Sequence, residues 1–202
     1  MKINNIIVDW HGVLDRRTFR GLKELIASRK GLRLEEVEVR IKDLAHSWVT
    51  GEISPEFFWK HLAIRFGLRW QLLAYLKNYI LSIDLNFEVV ALLQRLKDSG
   101  YKIFLLSDCP EDKKEVILKS DFAEELFEDM FFSFDSKMSK ENPDFFMELI
   151  TECHLLPNEC LYIDDNGKNI QTAKFLFMET HLFTGDDMGI MRALKNLEQV
   201  PD

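Results

Sequence analysis

Short apolar runs that stop abruptly at polar residues, with helix-length segments between them, restrict this chain more than any other feature. The run Ile3-Asn4-Asn5-Ile6-Ile7-Val8 stops at Asp9, residues 101–106 stop at Ser107-Asp108, and residues 160–163 stop at Asp164-Asp165. Residues 130–134 and 179–183 read as two more strands, and residues 87–97, 111–119, 121–128, 143–153 and 169–175 as helices. Strands buried on both sides and alternating with helices of this length predict an α/β fold, a parallel sheet covered by helices on both faces.

A second pattern interrupts the first. From Thr18 to Tyr79 the apolar residues follow helical spacing with no convincing strand: Leu22, Leu25 and Ile26; Val37, Ile41, Leu44, Ala45 and Trp48; Phe57, Phe58, Leu62 and Phe66; Leu72, Leu73, Leu76, Tyr79 and Ile80. The stripes break at Gly31, Thr50-Gly51 and Gly67, and Ser54-Pro55-Glu56 has the form of a capped start with Pro at the first helical position. Because the first strand belongs with the later ones, this block is an insertion. The expected division is a core of residues 1–14 and 86–202 and a helical bundle of residues 15–85.

Parallel strands bring their carboxyl ends to one edge, where α/β sheets bind ligands. Asp9, Ser107, Lys140 and Asp164-Asp165 then become neighbours although they span most of the sequence. Each has an ordinary reading as well. Asp9 followed by Gly12 is turn chemistry, and Ser107-Asp108 before Cys109-Pro110 is a helix cap. Lys140 before a helix is a solvent lysine, and Asp164-Asp165-Asn166-Gly167 is a capped turn. Their convergence on one edge is what points to chemistry. Asp9, Asp164 and Asp165 are hard oxygen ligands suited to Mg²⁺, with the backbone carbonyl of His11 as a further ligand. A cation at Lys140 neutralises a nucleophilic carboxylate or a phosphoryl oxygen, and Ser107 donates to that same oxygen. The chemistry suggested is attack by Asp9 on phosphorus, giving an aspartyl phosphate that water then cleaves.

Composition narrows the setting. With 202 residues, 47% of them hydrophobic, the chain suffices for one sizeable core or a core with a satellite. A formal net charge of -8 and a pI near 5.2, without a basic stripe, argue against nucleic acid as a partner. The expected partner is a small phosphorylated molecule. No stretch has the apolar length of a membrane span. Cys109, Cys153 and Cys160 lack the spacing of a zinc or redox motif and predict thiols of a cytoplasmic protein, Cys109 being close enough to Ser107 for its oxidation to impair the site. His46, His61, His154 and His181 are scattered without zinc-site spacing, and Gly185-Asp186-Asp187 reads as the capped start of a final helix. The oligomeric state is left open.

The same clusters carry the pattern of the haloacid dehalogenase-like hydrolases. Val8-Asp9-Trp10-His11-Gly12-Val13-Leu14 resembles the family's first motif, Asp-x-Asp-Gly-Thr/Val-Leu, and Leu105-Leu106-Ser107-Asp108 the second. Lys140-Glu141-Asn142-Pro143-Asp144-Phe145-Phe146 resembles the third, and Leu161-Tyr162-Ile163-Asp164-Asp165-Asn166 with Asn169 and Ala173 the fourth. The resemblance implies a Rossmann-like core with an α-helical cap inserted after the first motif. It also implies Asp9 as nucleophile, Ser107 as the hydroxyl, Lys140 as the lysine, and Asp164 and Asp165 as metal-binding acids. The cap of that family helps choose the substrate, which makes Trp48, Glu52 and Trp59 places to look, alongside core packing for the tryptophans.

Two departures matter. Phosphatases of the family usually have a second Asp, a general acid and base, where this chain has His11. An imidazole either does that work or leaves the site impaired. Phe177 stands where a Gly usually follows the fourth motif's helix, and is expected to alter packing rather than chemistry. The competing readings are a metal-independent 2-haloacid dehalogenase, whose aspartate attacks carbon, and a weakly active or inactive binding or regulatory protein.

Overall fold

In the computed structural model, which describes residues 2–198, five strands form one sheet. They are β1 (Asn5–Val8), β2 (Lys102–Ser107), β3 (Asp129–Phe132), β4 (Cys160–Asp164) and β5 (Glu179–Leu182), in the order β3-β2-β1-β4-β5. All four pairings are parallel. Residue 1 and residues 199–202, at the ends of the expected core segments, lie outside the described residues.

Between β1 and β2 come α1 (Phe19–Lys30), α2 (Leu34–Val49), α3 (Pro55–Phe66), α4 (Trp70–Leu81) and α5 (Phe87–Asp98). Then follow α6 (Glu111–Leu118), α7 (Asp121–Leu126), the single turn α8 (Ser133–Ser136), α9 (Pro143–Glu152), α10 (Gly167–Phe175) and α11 (Asp187–Glu198). The two-residue period of the strands divides the core in two. Ile6, Val8, Ile103, Leu105, Leu161 and Ile163 face one way, onto Val89, Leu92 and Leu93 of α5, Ile117 of α6 and Ile190 of α11. Ile7, Phe104, Leu106, Cys160 and Tyr162 face the other way, onto Phe145, Phe146 and Leu149 of α9 and Ile170 of α10. Each apolar side chain taken fully out of water contributes roughly 1.5–3 kcal/mol, so covering both faces is what holds the sheet together.

Helices α1–α4 enclose a separate core of their own, with Leu22, Ile26, Ile41, Trp48, Phe58, Leu62, Leu76 and Ile80 at its centre. Their boundaries follow local chemistry. Ser54 accepts from the Phe57 N–H ahead of Pro55, and α1 and α3 end at Gly31 and Gly67 in the left-handed region. Phe57 departs from its expected stripe. The positions facing inward on α3 are Phe58, Trp59, Leu62 and Phe66, and Phe57 lies outside them, its ring stacked on His61.

The strand expected over residues 130–134 also differs, since it spans Asp129–Phe132 and the chain turns at Ser133 into α8. The Ser133 hydroxyl accepts the Cys109 N–H at 2.9 Å and donates to the Val49 carbonyl at 2.6 Å, a contact with the end of α2 that a continued strand could not make. Phe177 holds a position that favours glycine, with φ of 62°. Its N–H donates to Lys174 O and that of Met178 to Ala173 O, so the helix closes in a Schellman turn without its usual glycine.

Candidate active site

From β1 the chain proceeds to β2 on one side of the sheet and returns later to β4 on the other, which makes the gap between β1 and β4 a topological switch point. Val8 is in register with Ile163 of β4 and Leu105 of β2. The next residues along the strands, Asp9 and Asp164, therefore emerge side by side, and the Asp9 N–H donates to Ile163 O at 2.9 Å.

Lys140 enters between them from the loop before α9. Its Nζ lies 2.8 Å from Asp9 Oδ1 and 2.7 Å from Asp164 Oδ2, and its side chain is 1% exposed, which rules out the solvent-lysine reading. The backbone N–H of Lys140 donates to Asp108 Oδ1 at 2.9 Å. Asp108 thus positions the lysine loop, whereas α6 has Pro110 at its N-cap and no side-chain cap. Asp164 is held from several sides. Its Oδ2 also accepts from the Tyr162 hydroxyl and from Asn169 Nδ2 (3.0 Å), and its Oδ1 from the Asn166 N–H (2.6 Å). Tyr162 reaches it because residues two apart share a face of β4. Asn169 reaches it from the first turn of α10, where Asn166 caps the helix.

Asp165 points toward the same place from the exposed side, and one oxygen each from Asp9, Asp164 and Asp165 lie within 4.8 Å of one another. Gly12 allows this approach. Its φ is +82°, and a Cβ there would stand 2.1 Å from Asp165 Oδ2. Ser107, one residue beyond the level of Asp9 on the β2 side, has a buried Oγ with no hydrogen-bond partner among the described residues, and Asn169 Oδ1 is in the same condition. Native interiors rarely leave such atoms unmatched; Trp48 Nε1 and Asp112 Oδ1 are unmatched as well, but only Ser107 and Asn169 belong to the edge that carries Asp9, Lys140 and Asp164.

Charge points the same way. Burial raises the Asp9 pKa well above the carboxylate range against the pull of Lys140, with Asp164 adding to the rise. Burial would also raise Asp164, but the charge and hydrogen bond of Lys140 overcome it and hold that carboxyl low. Burial, then the charge of Asp164, raises Asp165. Lys140 is raised despite its burial because Asp164 and Asp9 flank it. Three acids around one lysine leave negative charge in excess, and the oxygen donors fit a hard divalent cation.

His11 is half-buried, with Nδ1 2.8 Å from Arg17 O. A carbonyl can only accept, so Nδ1 carries the hydrogen and Nε2 the lone pair. Burial, then the charge of Lys113, lowers its pKa to about 4, so the ring is neutral near pH 7.

Several neighbours escaped the sequence reading. Asp15 and Lys113 form a fully buried ion pair of 2.7 Å. Asp15 also accepts from Trp10 Nε1 (3.2 Å) and from the N–H groups of Arg17 and Asp84 (each 3.0 Å), while Lys113 donates to Ser82 O at 2.9 Å. The pair therefore fastens both chain crossings between sheet and insertion to α6. The signal for Lys113 was its place one turn before the core residue Ile117, and for Tyr162 its two-residue offset from Asp164.

Of the insertion residues singled out, Trp48 is buried in a stack with Phe58, ring centroids 3.8 Å apart. Trp59 donates its Nε1–H to Asp112 Oδ2 on α6 at 3.2 Å, and Glu52 accepts from the Ser47 hydroxyl at 2.7 Å. Cys109 is fully buried with its thiol pKa raised by burial, so the oxidation expected of it is disfavoured. Asp186 accepts from the Met188 N–H at the start of α11, the capping role expected of it.

Comparison with known proteins agrees with this fold. The sequence profile of the haloacid dehalogenase-like hydrolases matches residues 3–175. Among curated proteins none matches the chain. The HAD family enzyme BT-2542 from Bacteroides thetaiotaomicron superposes with a TM-score of 0.79 at 23% identity, over 95% of this chain and 99% of its own. That enzyme is also known in complex with magnesium and inorganic phosphate. A "predicted HAD-like family hydrolase" from Porphyromonas gingivalis gives 0.77 at 24% identity, with both chains covered completely (100% and 100%). L-2-haloacid dehalogenase from Xanthobacter autotrophicus gives 0.62 at 16% identity, over 88% of this chain and 76% of its own. A profile match over most of the length, on a sheet whose switch point gathers these acids and this lysine, makes the chain a member of the haloacid dehalogenase-like hydrolase family.

Proposed function

We propose that the protein is a Mg²⁺-dependent phosphomonoester hydrolase that acts on a small phosphorylated metabolite through an aspartyl phosphate on Asp9. One observation carries this reading: three carboxylates gather around a single lysine beside a buried, unmatched serine hydroxyl. A cation held by Asp9, Asp164, Asp165 and the His11 carbonyl, together with a phosphoryl group on Ser107 and Lys140, would balance the charge and satisfy that hydroxyl. Bound Mg²⁺ supplies charge neutralisation for the phosphoryl oxygens.

The chain's own residues do the rest. Asp9 attacks phosphorus as the ester P–O bond breaks and the alcohol oxygen departs to take a proton from water, Lys140 and the Ser107 hydroxyl hold the transferring oxygens, and Asp164, fixed by Tyr162, Asn166 and Asn169, keeps Lys140 in place. A neutral His11 with its lone pair on Nε2 suits the second half of the reaction, where it accepts a proton from the water that cleaves the aspartyl phosphate. It is a poor acid for the first half, so esters with good leaving groups are the better substrates. Helices α1–α4 act as the cap over this edge, and the three free thiols fit a cytoplasmic setting.

The test is inorganic phosphate release from a panel of phosphomonoesters with Mg²⁺, with excess EDTA, and by the Asp9→Asn variant. Release lost in both controls is the expected result, and no release from any ester with Mg²⁺ overturns the reading. The neutral His11 favours one other reading, a 2-haloacid dehalogenase, which attacks carbon and needs no acid for its leaving halide. Halide release in EDTA would establish it.

A further inference from the structure

Asp15 grips the loop that carries His11. Its N–H donates to Trp10 O at 2.8 Å and its carbonyl accepts the Gly12 N–H at 2.8 Å, so the residues on either side of His11 are tied to it. Its carboxylate reaches along the first crossing, where Oδ1 accepts the Arg17 N–H at 3.0 Å. The Arg17 carbonyl in turn accepts the His11 Nδ1–H at 2.8 Å. The Arg17 guanidinium donates to Tyr79 O at 3.2 Å and to Ser82 Oγ. The His11 ring therefore takes its direction from one residue, and that residue is held at its N–H by Asp15 and through its side chain by the end of α4.

The carboxylate is itself fixed. Asp15 Oδ1 also accepts the Asp84 N–H from the second crossing, and Oδ2 accepts from Lys113 Nζ and Trp10 Nε1. A buried ion pair often contributes no more stability than apolar side chains of the same volume, whereas it does fix direction. Here the direction is passed on. A neutral imidazole that donates through Nδ1 has its lone pair on Nε2, the ring nitrogen turned away from Arg17. Two lysine charges reach that ring, Lys113 from the fastening and Lys140 from the catalytic edge, so the imidazole stands within reach of both.

We propose that Asp15 is a positioning residue for cleavage of the aspartyl phosphate, acting through Arg17 on the tautomer and direction of the His11 ring. In that step the water oxygen bonds to phosphorus, and the bond from phosphorus to the Asp9 oxygen breaks with its electron pair returning to the carboxylate. Inorganic phosphate leaves, and the water proton passes to His11 Nε2 and then to solvent. Formation of the aspartyl phosphate makes no use of Nε2 as a base, so Asp15 bears on the second half-reaction alone. The inference rests on the phosphatase reading and adds to it a residue that touches neither substrate nor metal.

The test compares two double variants that both remove the ion pair. Asp15→Asn with Lys113→Met keeps an oxygen for the Arg17 N–H, and Asp15→Ala with Lys113→Met does not. Turnover of p-nitrophenyl phosphate with Mg²⁺ is the kinetic probe. The tautomer is read by ¹⁵N NMR of the imidazole nitrogens at neutral pH, with His11 identified by its loss in His11→Ala. The wild type and the asparagine pair should both carry the hydrogen on Nδ1. The alanine pair should show a mixture of tautomers and a kcat lower by about tenfold or more, with kcat/KM unchanged because that ratio reports only the first half-reaction. In a His11→Ala background the alanine pair should lower kcat no further. The inference alone is overturned by a wild type with the hydrogen on Nε2, a result that needs no variant to fold. It is overturned equally by the same kcat in the two pairs, by a parallel fall in kcat/KM, or by a loss that persists in His11→Ala. Absence of probe turnover by the wild type overturns the phosphatase reading and this inference with it.

Discussion

Lys113 and Lys140 are both buried lysines against carboxylates, in pairs of nearly the same length, yet their surroundings differ in kind. Lys113 meets one carboxylate, Asp15, whose remaining capacity is taken by Trp10 Nε1 and two backbone N–H groups. That cluster is neutral in sum and has no unmatched atom among the described residues. Lys140 meets two carboxylates with a third close by, and the cluster leaves Ser107 Oγ and Asn169 Oδ1 unmatched. A satisfied buried ion pair is a fastening, since it has nothing left to offer a ligand. An unbalanced one is a candidate site, because a cation and an anion arriving together would complete it.

The largest test of this contrast is Asp9→Asn. Turnover should fall about 10⁴-fold, while thermal unfolding in EDTA should show the variant at least as stable as the wild type, because a surplus buried charge has gone. A large loss of stability would mean that the Lys140 cluster is a fastening too.

Lys113→Met should cost about 3–5 kcal/mol by leaving Asp15 charged and alone in the interior, and Asp15→Asn with Lys113→Met should recover most of it. Lys140→Met should also destabilise, but Mg²⁺ should recover stability in that variant and not in Lys113→Met. Recovery in both, or in neither, would erase the distinction between the clusters.

For the wild type, Mg²⁺ at 100 times its dissociation constant should raise stability by about 2.7 kcal/mol, read as a Tm shift that EDTA reverses. No shift would break the reading of the acids as a metal site.

Two smaller effects lie outside both clusters and serve as controls. Phe177→Gly should stabilise by about 1 kcal/mol, by relieving a left-handed backbone that suits glycine, without moving Mg²⁺ affinity. His181, whose pKa burial lowers, binds its proton less readily folded than unfolded. As pH falls below about 6.5 the unfolded chain takes up that proton first, so stability present at higher pH is lost toward the lowered folded pKa. A His181→Gln variant should show a shallower fall in Tm between neutral and mildly acidic pH.

The sequence carried the sheet and the insertion because their signals are local. Apolar runs of strand length, helical stripes, and breakers at Gly31 and Gly67 each act over a few neighbours along the chain. It carried the site candidates for a topological reason, since parallel strands must bring the residues at their carboxyl ends together. Where it went astray, a distant partner decided. Ser133 leaves the strand for Cys109 and Val49, and Asp108 leaves a helix cap for the Lys140 N–H. Of the two readings open for Trp48, core packing is the one realised, its ring stacked in the interior of the insertion.

What the sequence determined by itself is the alternation of strand and helix, the helical insertion after the first strand, and the residue types delivered to the sheet edge. These follow from periodicity and connection rules. Only the tertiary structure decided that Lys140 is shared between Asp9 and Asp164, and that Asp15 is spoken for by Lys113. Charge balance is a property of groups gathered from distant parts of the chain within a few ångströms of one another in a medium of low dielectric, and no local stretch of sequence encodes it.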